Sequence, residues 1–173
     1  MEISIVGTNS IKIKGKQAAF IIDPSKQMPK MTADAIILLD KKNEDIDTSR
    51  ILDFRIVIDG PGEYGVGGYK ISATKTPSGV IYKFLIDDIN IVLGFATETK
   101  MENFGTSQAV IVNTNADLNE SFVTALEPKL AILYGVKKTE SAKSLGAESV
   151  SPVAKIALTK DKLPEKMEVV ILG

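Results

Sequence analysis

The chain has 173 residues, of which 44% are hydrophobic and 25% are charged. These values are those of an ordinary folded domain and exclude a disordered or fibrous protein. A formal net charge of −1 and an isoelectric point near 5.6 provide no broad attraction to nucleic acid or anionic lipid. Histidine and cysteine are absent, which excludes disulfides, thiolate nucleophiles and zinc–thiolate sites.

The length predicts one domain over residues 1–173. The stretch Met1–Val6 has neither the basic segment nor the long apolar run of a signal peptide. Further along, no apolar run approaches the roughly 20 residues that are needed to span a bilayer. We therefore expect a cytoplasmic protein without a membrane association.

The first half of the chain predicts short strands separated by turns. Alternating apolar and polar residues on both sides of Gly7–Ser10 predict an opening hairpin. Two continuous apolar runs, Ala18–Ile22 and Ala35–Leu39, are typical of strands buried on both faces. A further strand, Arg55–Ile58, leads into a glycine-rich loop at residues 59–68.

The second half predicts an antiparallel meander followed by strand–helix–strand units. One helix is expected at Asp117–Leu126, with Asp117 as its N-cap. A second is expected at Thr139–Leu145, with Thr139 as its N-cap and Gly146 as its terminator. The expected strands are Tyr69–Ala73, Val80–Ile86, Ile89–Leu93, Ala109–Val112, Leu130–Leu133, Lys155–Leu158 and Val169–Leu172. This order predicts an α+β fold with two packed sheets and helices outside them.

A run of charged residues at positions 40–45 follows the buried strand that ends at Leu39. Layered α/β folds usually build their sites at such strand ends. Charge runs are nevertheless more often solvated loops. Both interpretations stay open from the sequence.

The glycine-rich loop carries Asp59, Glu63 and Tyr64. Its backbone N–H groups would suit an anion, but no helix follows directly, as a phosphate-binding loop requires. We expect structural turn chemistry, in which Glu63 and Tyr64 brace the loop by hydrogen bonds. Contact of these two side chains with a ligand is the alternative.

Several short motifs stand in an order that resembles a known family. They are Ile3–Gly7, Ile21–Pro24, Ala33–Ile37, Ile58–Tyr64, Leu126–Lys129 and Leu163–Pro164. In this order the chain resembles the metallo-β-lactamase-fold superfamily, and more narrowly a small bacterial branch similar to ascorbate-6-phosphate lactonase-like hydrolases. The resemblance covers nearly the whole chain. It implies a four-layer αββα sandwich with the site at one rim.

The sequence departs from that family where the family binds zinc. The family's HxHxDH motif falls on residues 40–45, a further histidine near Val92, the bridging aspartate near Phe95, and the last histidine near Gly135. Together with the glycine-rich loop, the degenerate rim positions are Asp40, Lys42, Glu44, Asp45, Asp59, Glu63, Tyr64, Val92, Phe95 and Gly135. The resemblance therefore implies a pseudoenzyme with no zinc centre, no catalytic residue and no cofactor.

Two functional hypotheses follow. In the first, the chain is a non-catalytic member of the family with a binding or structural role. Its rim then serves an unidentified ligand, a protein partner or a homo-oligomer. In the second, it is a hydrolase that holds Mg²⁺ or Mn²⁺, cations that prefer oxygen ligands. The carboxylates of that site would be Asp40, Glu44, Asp45, Asp59 and Glu63, with Lys42 or Tyr64 as acid–base group.

A basic strand face at Lys12, Lys14 and Lys16 raises a nucleic-acid role as a third hypothesis. Aromatic residues make up only 6% of the chain, so the stacking platforms used by nucleic-acid-binding proteins are scarce. Lysines on a strand edge commonly prevent sheets from pairing with one another. We expect no nucleic-acid partner.

Overall fold

The computed structural model describes residues 1–98 and 104–173. The strands are β1 (Glu2–Gly7), β2 (Ser10–Lys14), β3 (Ala19–Ile22), β4 (Met31–Thr32), β5 (Ala35–Ile37), β6 (Ile51–Leu52), β7 (Ile56–Ile58), β8 (Gly62–Val66), β9 (Tyr69–Lys75), β10 (Val80–Ile86), β11 (Ile89–Phe95), β12 (Ala109–Asn113), β13 (Leu130–Tyr134), β14 (Lys155–Ala157) and β15 (Glu168–Ile171). The α-helices are α1 (Glu120–Thr124) and α2 (Lys138–Ser144), and 3₁₀ turns lie at Thr48–Arg50 and Lys160–Lys162.

The strands form two large sheets. The first has six strands in the order β14-β1-β2-β3-β5-β7, and the second has seven in the order β15-β13-β12-β11-β10-β9-β8. Strands β3, β5 and β7 run parallel to one another, as do β11, β12, β13 and β15. The opening hairpin and the meander β9-β10-β11 are antiparallel, which confirms both predictions.

The main core lies between the two sheets because alternate residues of each strand point to opposite faces. In β3, Phe20 and Ile22 face the opposite sheet, where Tyr82 and Phe84 of β10 belong to the same buried cluster. The ring centroids of Phe20 and Phe84 lie 6.0 Å apart in a tilted arrangement. This spacing falls in the favourable range for aromatic pairs.

Each sheet also buries its outer face. Helices α1 and α2 cover the seven-stranded sheet, and Phe122 of α1 packs in one cluster with Val92 and Val112. Over the six-stranded sheet, Met28 and Ile51 pack against the residues of β3 and β5 that point outward. This outer layer contains the short β4–β6 ladder and the 3₁₀ turn at Thr48–Arg50. The predicted four-layer sandwich is confirmed.

Three local predictions were wrong. Helix α1 is capped by Asn119 rather than Asp117, because the Asn119 N–H is already fixed on the carbonyl of Ala96 and its side chain accepts from Ser121. Helix α2 begins after Lys137, before the predicted cap at Thr139, because the Lys137 N–H bonds to the carbonyl of Thr114.

The third correction concerns the glycine-rich loop, much of which is the edge strand β8. The glycines Gly67 and Gly68 form the hairpin turn from β8 to β9, with φ of +55° and +82°. Positive φ at both central residues is the requirement of a tight two-residue hairpin. The glycines are therefore explained by the turn.

Among the described residues, no helix has the length and apolar character needed to cross a membrane.

Candidate functional site

The carboxyl ends of parallel strands from both sheets meet at one rim. Tyr82 of β10 joins them, since its hydroxyl donates to the carbonyl of Leu38 at 2.7 Å and to that of Ile58 at 3.1 Å. The N–H of Val80 also donates to the carbonyl of Leu39 at 3.1 Å. Because Leu38 follows β5 and Ile58 ends β7, these bonds tie the second sheet to the strand ends of the first.

Asp23 lies under this rim at the end of β3. It is 6% exposed and has a φ of +46°, in the left-handed region that aspartate tolerates better than most residues. Its backbone N–H donates to the carbonyl of Ile37, and its Oδ1 accepts the N–H of Leu39 at 2.9 Å. Asp23 therefore continues the connection between β3 and β5 beyond the last ladder pair.

Burial raises the pKa of the Asp23 carboxyl to about 7, and the nearby negative charge of Asp40 adds to the rise. The hydrogen bond from Leu39 acts in the opposite direction. Burial also raises the pKa of the Tyr134 phenol, with a further contribution from Asp23, while Asn113 lowers it. A buried polar layer of Asp23, Tyr134 and Asn113 thus lies beneath the rim.

From the sequence, Asp23 is expected only as part of the Ile21–Pro24 motif, and no role is expected for Tyr82 or Tyr134. One signal was available for each of them. Asp23 and Tyr134 each directly follow a continuous apolar run, and Tyr82 brings a polar atom into an apolar strand. A hydroxyl or carboxyl in such a position needs a partner when the strand is buried.

The charged run at residues 40–45 forms an exposed turn. Asp40 Oδ1 accepts the N–H of Lys42 at 3.0 Å, and Asn43 Oδ1 accepts that of Asp45 at 3.0 Å. Such bonds from a side chain to the backbone two residues on are typical of turns. Asp40 is half-buried, whereas residues 41–45 are exposed.

A pocket of about 260 Å³, lined mainly by polar residues, lies between this turn, the Thr8–Asn9 hairpin turn and Asp23. Lys26 and Asp45 contribute charges of opposite sign to its lining. The Lys26 N–H donates to the carbonyl of Asp45 at 3.2 Å, which holds the two walls together. Hydrogen-bonding groups and both signs of charge would suit a small polar ligand.

The acidic and aromatic residues of the glycine-rich segment are braced within the protein. The Tyr64 hydroxyl donates to the carbonyl of Gly60 at 3.0 Å, and Glu63 Oε1 accepts from the Ser72 hydroxyl at 2.6 Å. Asp59 lies 3.8 Å from Lys41 in an exposed ion pair, which contributes little to stability. These hydrogen bonds correspond to the bracing that the sequence favoured for Glu63 and Tyr64.

The sequence matches no protein-family model and has no significant match among curated proteins. Solved structures do match. A proposed Zn-dependent hydrolase of the metallo-β-lactamase superfamily from Thermotoga maritima superposes with a TM-score of 0.76 over 99% of this chain and 97% of its own, at 18% identity. The chain has the metallo-β-lactamase fold.

Two further structures carry the same fold at lower similarity. Isothiocyanate hydrolase from Delia radicum gut bacteria matches with a TM-score of 0.63 and 13% identity, over 92% of this chain and 100% of that one. Zn²⁺-bound PqqB from Methylobacterium extorquens matches with a TM-score of 0.57 and 8% identity, over 91% and 100%. At these identities the likeness extends to the fold alone.

The metallo-β-lactamase fold allows the expected zinc positions to be located. Val92 does not lie at the rim, so that expectation is corrected. It is fully buried against Phe122 under helix α1, because Ile91 and Leu93 on either side of it point into the core between the sheets. The strand reaches the rim three residues later, at Phe95.

Two further positions of the expected zinc site, Phe95 and Gly135, lie at strand ends but offer no metal ligand. Phe95 is half-buried, and a Cβ built on Gly79 would lie 2.6 Å from its ring. Gly135 has a φ of +111°, and a Cβ there would lie 2.8 Å from Asn115 Oδ1. The Asn115 side-chain oxygen, Oδ1, also accepts the N–H of Val136 at 3.1 Å. Side-chain packing at Phe95 and hydrogen bonding beside Gly135 therefore occupy these two expected zinc positions.

The residues present do not fit zinc. The chain has no histidine or cysteine, and Lys42 brings a cation to the turn where the family motif falls. Across residues 1–98 and 104–173, no three acidic side chains form a group that could hold a metal ion. All five carboxylates of the Mg²⁺ or Mn²⁺ alternative lie in these ranges, so the convergence on which that alternative depends is not found.

Proposed function

We propose that this protein is a non-catalytic metallo-β-lactamase-fold protein whose rim is a binding surface instead of a metal-dependent active site. The observation that carries the proposal is the donor set at the rim. The expected ligand positions hold no histidine, and three of them are a valine, a phenylalanine and a glycine. The carboxylates that remain in the charged turn belong to no group of three acidic residues that could hold a metal ion in the described residues. A donor set that does not fit a metal ion offers no means of activating water as metallohydrolases do.

The pocket under the charged turn is the proposed ligand site at this rim. Asp23 is held there by Leu39, while Lys26 and Asp45 supply charges for recognition. These groups orient and bind a polar molecule. The hydroxyl of Ser25 also lines the pocket, and the side-chain contact described for it is with the Ser10 hydroxyl at 3.3 Å, not with a basic group. The pocket therefore supports binding better than a reaction.

Metal analysis of the untagged protein tests the loss of catalysis. The protein is equilibrated with Zn²⁺, Mn²⁺ and Mg²⁺, dialysed, and examined by elemental analysis. Hydrolysis of bis(4-nitrophenyl) phosphate, a thiolactone and nitrocefin is measured in parallel. We expect metal far below one ion per chain and no turnover above buffer. Stoichiometric metal that is lost in Asp40→Asn and kept in the distant control Asp161→Asn would overturn the proposal.

Native mass spectrometry of gently purified protein tests the binding role. A polar ligand that copurifies should be lost in Gln27→Trp, where an exposed side chain of the pocket lining is enlarged over the opening. The control Lys143→Trp enlarges an exposed residue of helix α2 and should leave binding unchanged. Equal binding by both variants would place the ligand elsewhere.

A further inference from the structure

Strand β7 is an open edge of the six-stranded sheet. In the described part of the chain it pairs with β5 on one side and with no strand on the other. Side chains on and just before it are unusually apolar for a surface. Half of the exposed large hydrophobic residues in the described ranges lie within the six residues Leu52–Val57. They are Leu52, Phe54, Ile56 and Val57.

The other sheet edges carry the usual protection against pairing. At the far edge of the same sheet, β14 holds Lys155, whose ammonium lies 3.1 Å from Glu2. The edges of the second sheet are β15, which begins with Glu168, and β8, which carries Glu63. Charged residues at edges discourage association between sheets. Strand β7 itself contains no charge and no proline.

The sequence around β7 is complementary to itself. When two copies run antiparallel about Val57, Arg55 lies opposite Asp59 and Ile56 lies opposite Ile58. Both charged side chains are exposed, and the present partner of Asp59 is the distant, exposed Lys41. Opposite charges across an antiparallel pair are stabilising, and like charges are destabilising.

The same register places Phe54 opposite Gly60. A Cβ built on Gly60 meets no atom within 4 Å, so the space beside this glycine is open. An aromatic ring that covers a glycine on the neighbouring strand is a recognised way to stabilise a sheet edge. The ring of Phe54, now partly exposed, would lose contact with water there.

We infer that β7 is the dimer edge of this protein, through which two copies pair antiparallel about Val57 and join their six-stranded sheets. The inference is independent of the proposed function, because it rests on the edge strand and not on the donor set of the rim. A second copy is the occupant that the charges favour, since the pairing of Arg55 with Asp59 occurs twice in a symmetric dimer.

Sedimentation velocity over a range of protein concentrations tests the dimer. We expect a reversible dimer for the natural chain. Val57→Lys should be monomeric, because it places two ammonium groups opposite each other. The matched control Leu85→Lys changes a side chain of similar exposure, 44% against 37%, on the other sheet and should dimerise normally. A natural chain that is monomeric throughout, or a Val57→Lys variant that dimerises equally well, would overturn the inference.

Charge reversal tests the register. Arg55→Asp should raise the dimer dissociation constant roughly tenfold or more, since it replaces two attractive pairs by repulsive ones. The double variant Arg55→Asp with Asp59→Arg restores opposite charges and should recover most of the affinity. Circular dichroism confirms that each variant is folded. Failure of the double variant to recover affinity beyond Arg55→Asp alone would refute this register.

The absence of cysteine from the chain allows an independent check. Directly opposed residues of an antiparallel pair have Cα atoms about 4.5–5.5 Å apart, within the range of about 4.4–6.8 Å that a disulfide requires. Val57→Cys should therefore form a covalent dimer on mild oxidation, whereas Leu85→Cys should not. Equal crosslinking of the two variants would indicate random collision and contradict the proposed pairing.

Discussion

Asp23→Asn should remove a large pH dependence from the stability of this protein. Burial raises the pKa of the carboxyl from its ordinary value of 3.8 to about 7 in the folded state. Between these two values the folded protein retains a proton that the unfolded chain has released. The contribution of Asp23 to the free energy of unfolding is therefore greatest below pH 4, and it falls as the pH rises towards 7.

The magnitude follows from the shift. About three pKa units at about 1.4 kcal/mol each give roughly 4 kcal/mol lost between pH 4 and pH 7, as an upper value for this one group. Asparagine has the same shape and keeps an oxygen for the Leu39 N–H. We therefore expect Asp23→Asn to match the natural protein within about 1 kcal/mol near pH 4 and to be more stable by several kcal/mol at pH 8.

Urea unfolding followed by far-ultraviolet circular dichroism at pH 4 to 8 measures this difference. Asp53→Asn is the matched control, because Asp53 also has a positive φ, +62°, but is exposed. It should leave the pH profile unchanged. Desolvation by burial raises the pKa of the Asp87 carboxyl, but hydrogen bonds lower it by more, so the net shift is downward. The hydrogen bond from Tyr69 makes the largest of these lowering contributions. The stability contribution of Asp87 is lost at or below pH 4, outside this window. Identical pH profiles for Asp23→Asn and the natural protein would refute the reasoning.

Two further substitutions test the placement of residues that the sequence alone left open. Gly67→Ala should lower the free energy of unfolding by about 2 kcal/mol, because φ is +55° and the new Cβ would lie 2.5 Å from that of Ala18. Gly65→Ala, with open space around it, should change the urea midpoint little, and equal losses would contradict the assigned turn. Val92→His should create no metal site and should cost about 3 kcal/mol or more, because it buries an imidazole against Phe122. A stable, zinc-binding Val92→His protein would show that this position reaches the rim.

The strand pattern was predictable because it is a local property of the sequence. Continuous apolar runs such as Ala35–Leu39 and alternating stretches such as Ile11–Ile13 identified strands that the structure contains. The glycine-rich segment was misread because edge strand β8 contains two glycines among its five residues, Gly62–Val66, and glycine disfavours strands in general. The hydrogen bond from Ser72 of β9 to Glu63 of β8 helps to hold a strand that its glycine content disfavours.

The helix caps show a similar limit. Asp117 is as good a capping residue as Asn119 in isolation. The carbonyl of Ala96, the residue after β11, selects Asn119 by fixing its backbone. This contact joins residues far apart in the sequence, so no local rule could have chosen between the two.

By itself, the sequence determined the succession of strands and the absence of histidine and cysteine, because periodicity and composition do not depend on distant contacts. The environment of each side chain, in contrast, depends on how the strands and helices pack. This packing buried Asp23 beneath the rim and turned Val92 towards helix α1. Among the described residues, it also left one edge of β7 unpaired. Burial, charge proximity and free hydrogen-bonding edges arise from segments that meet in space, and these determine a pKa, a ligand position or an interface.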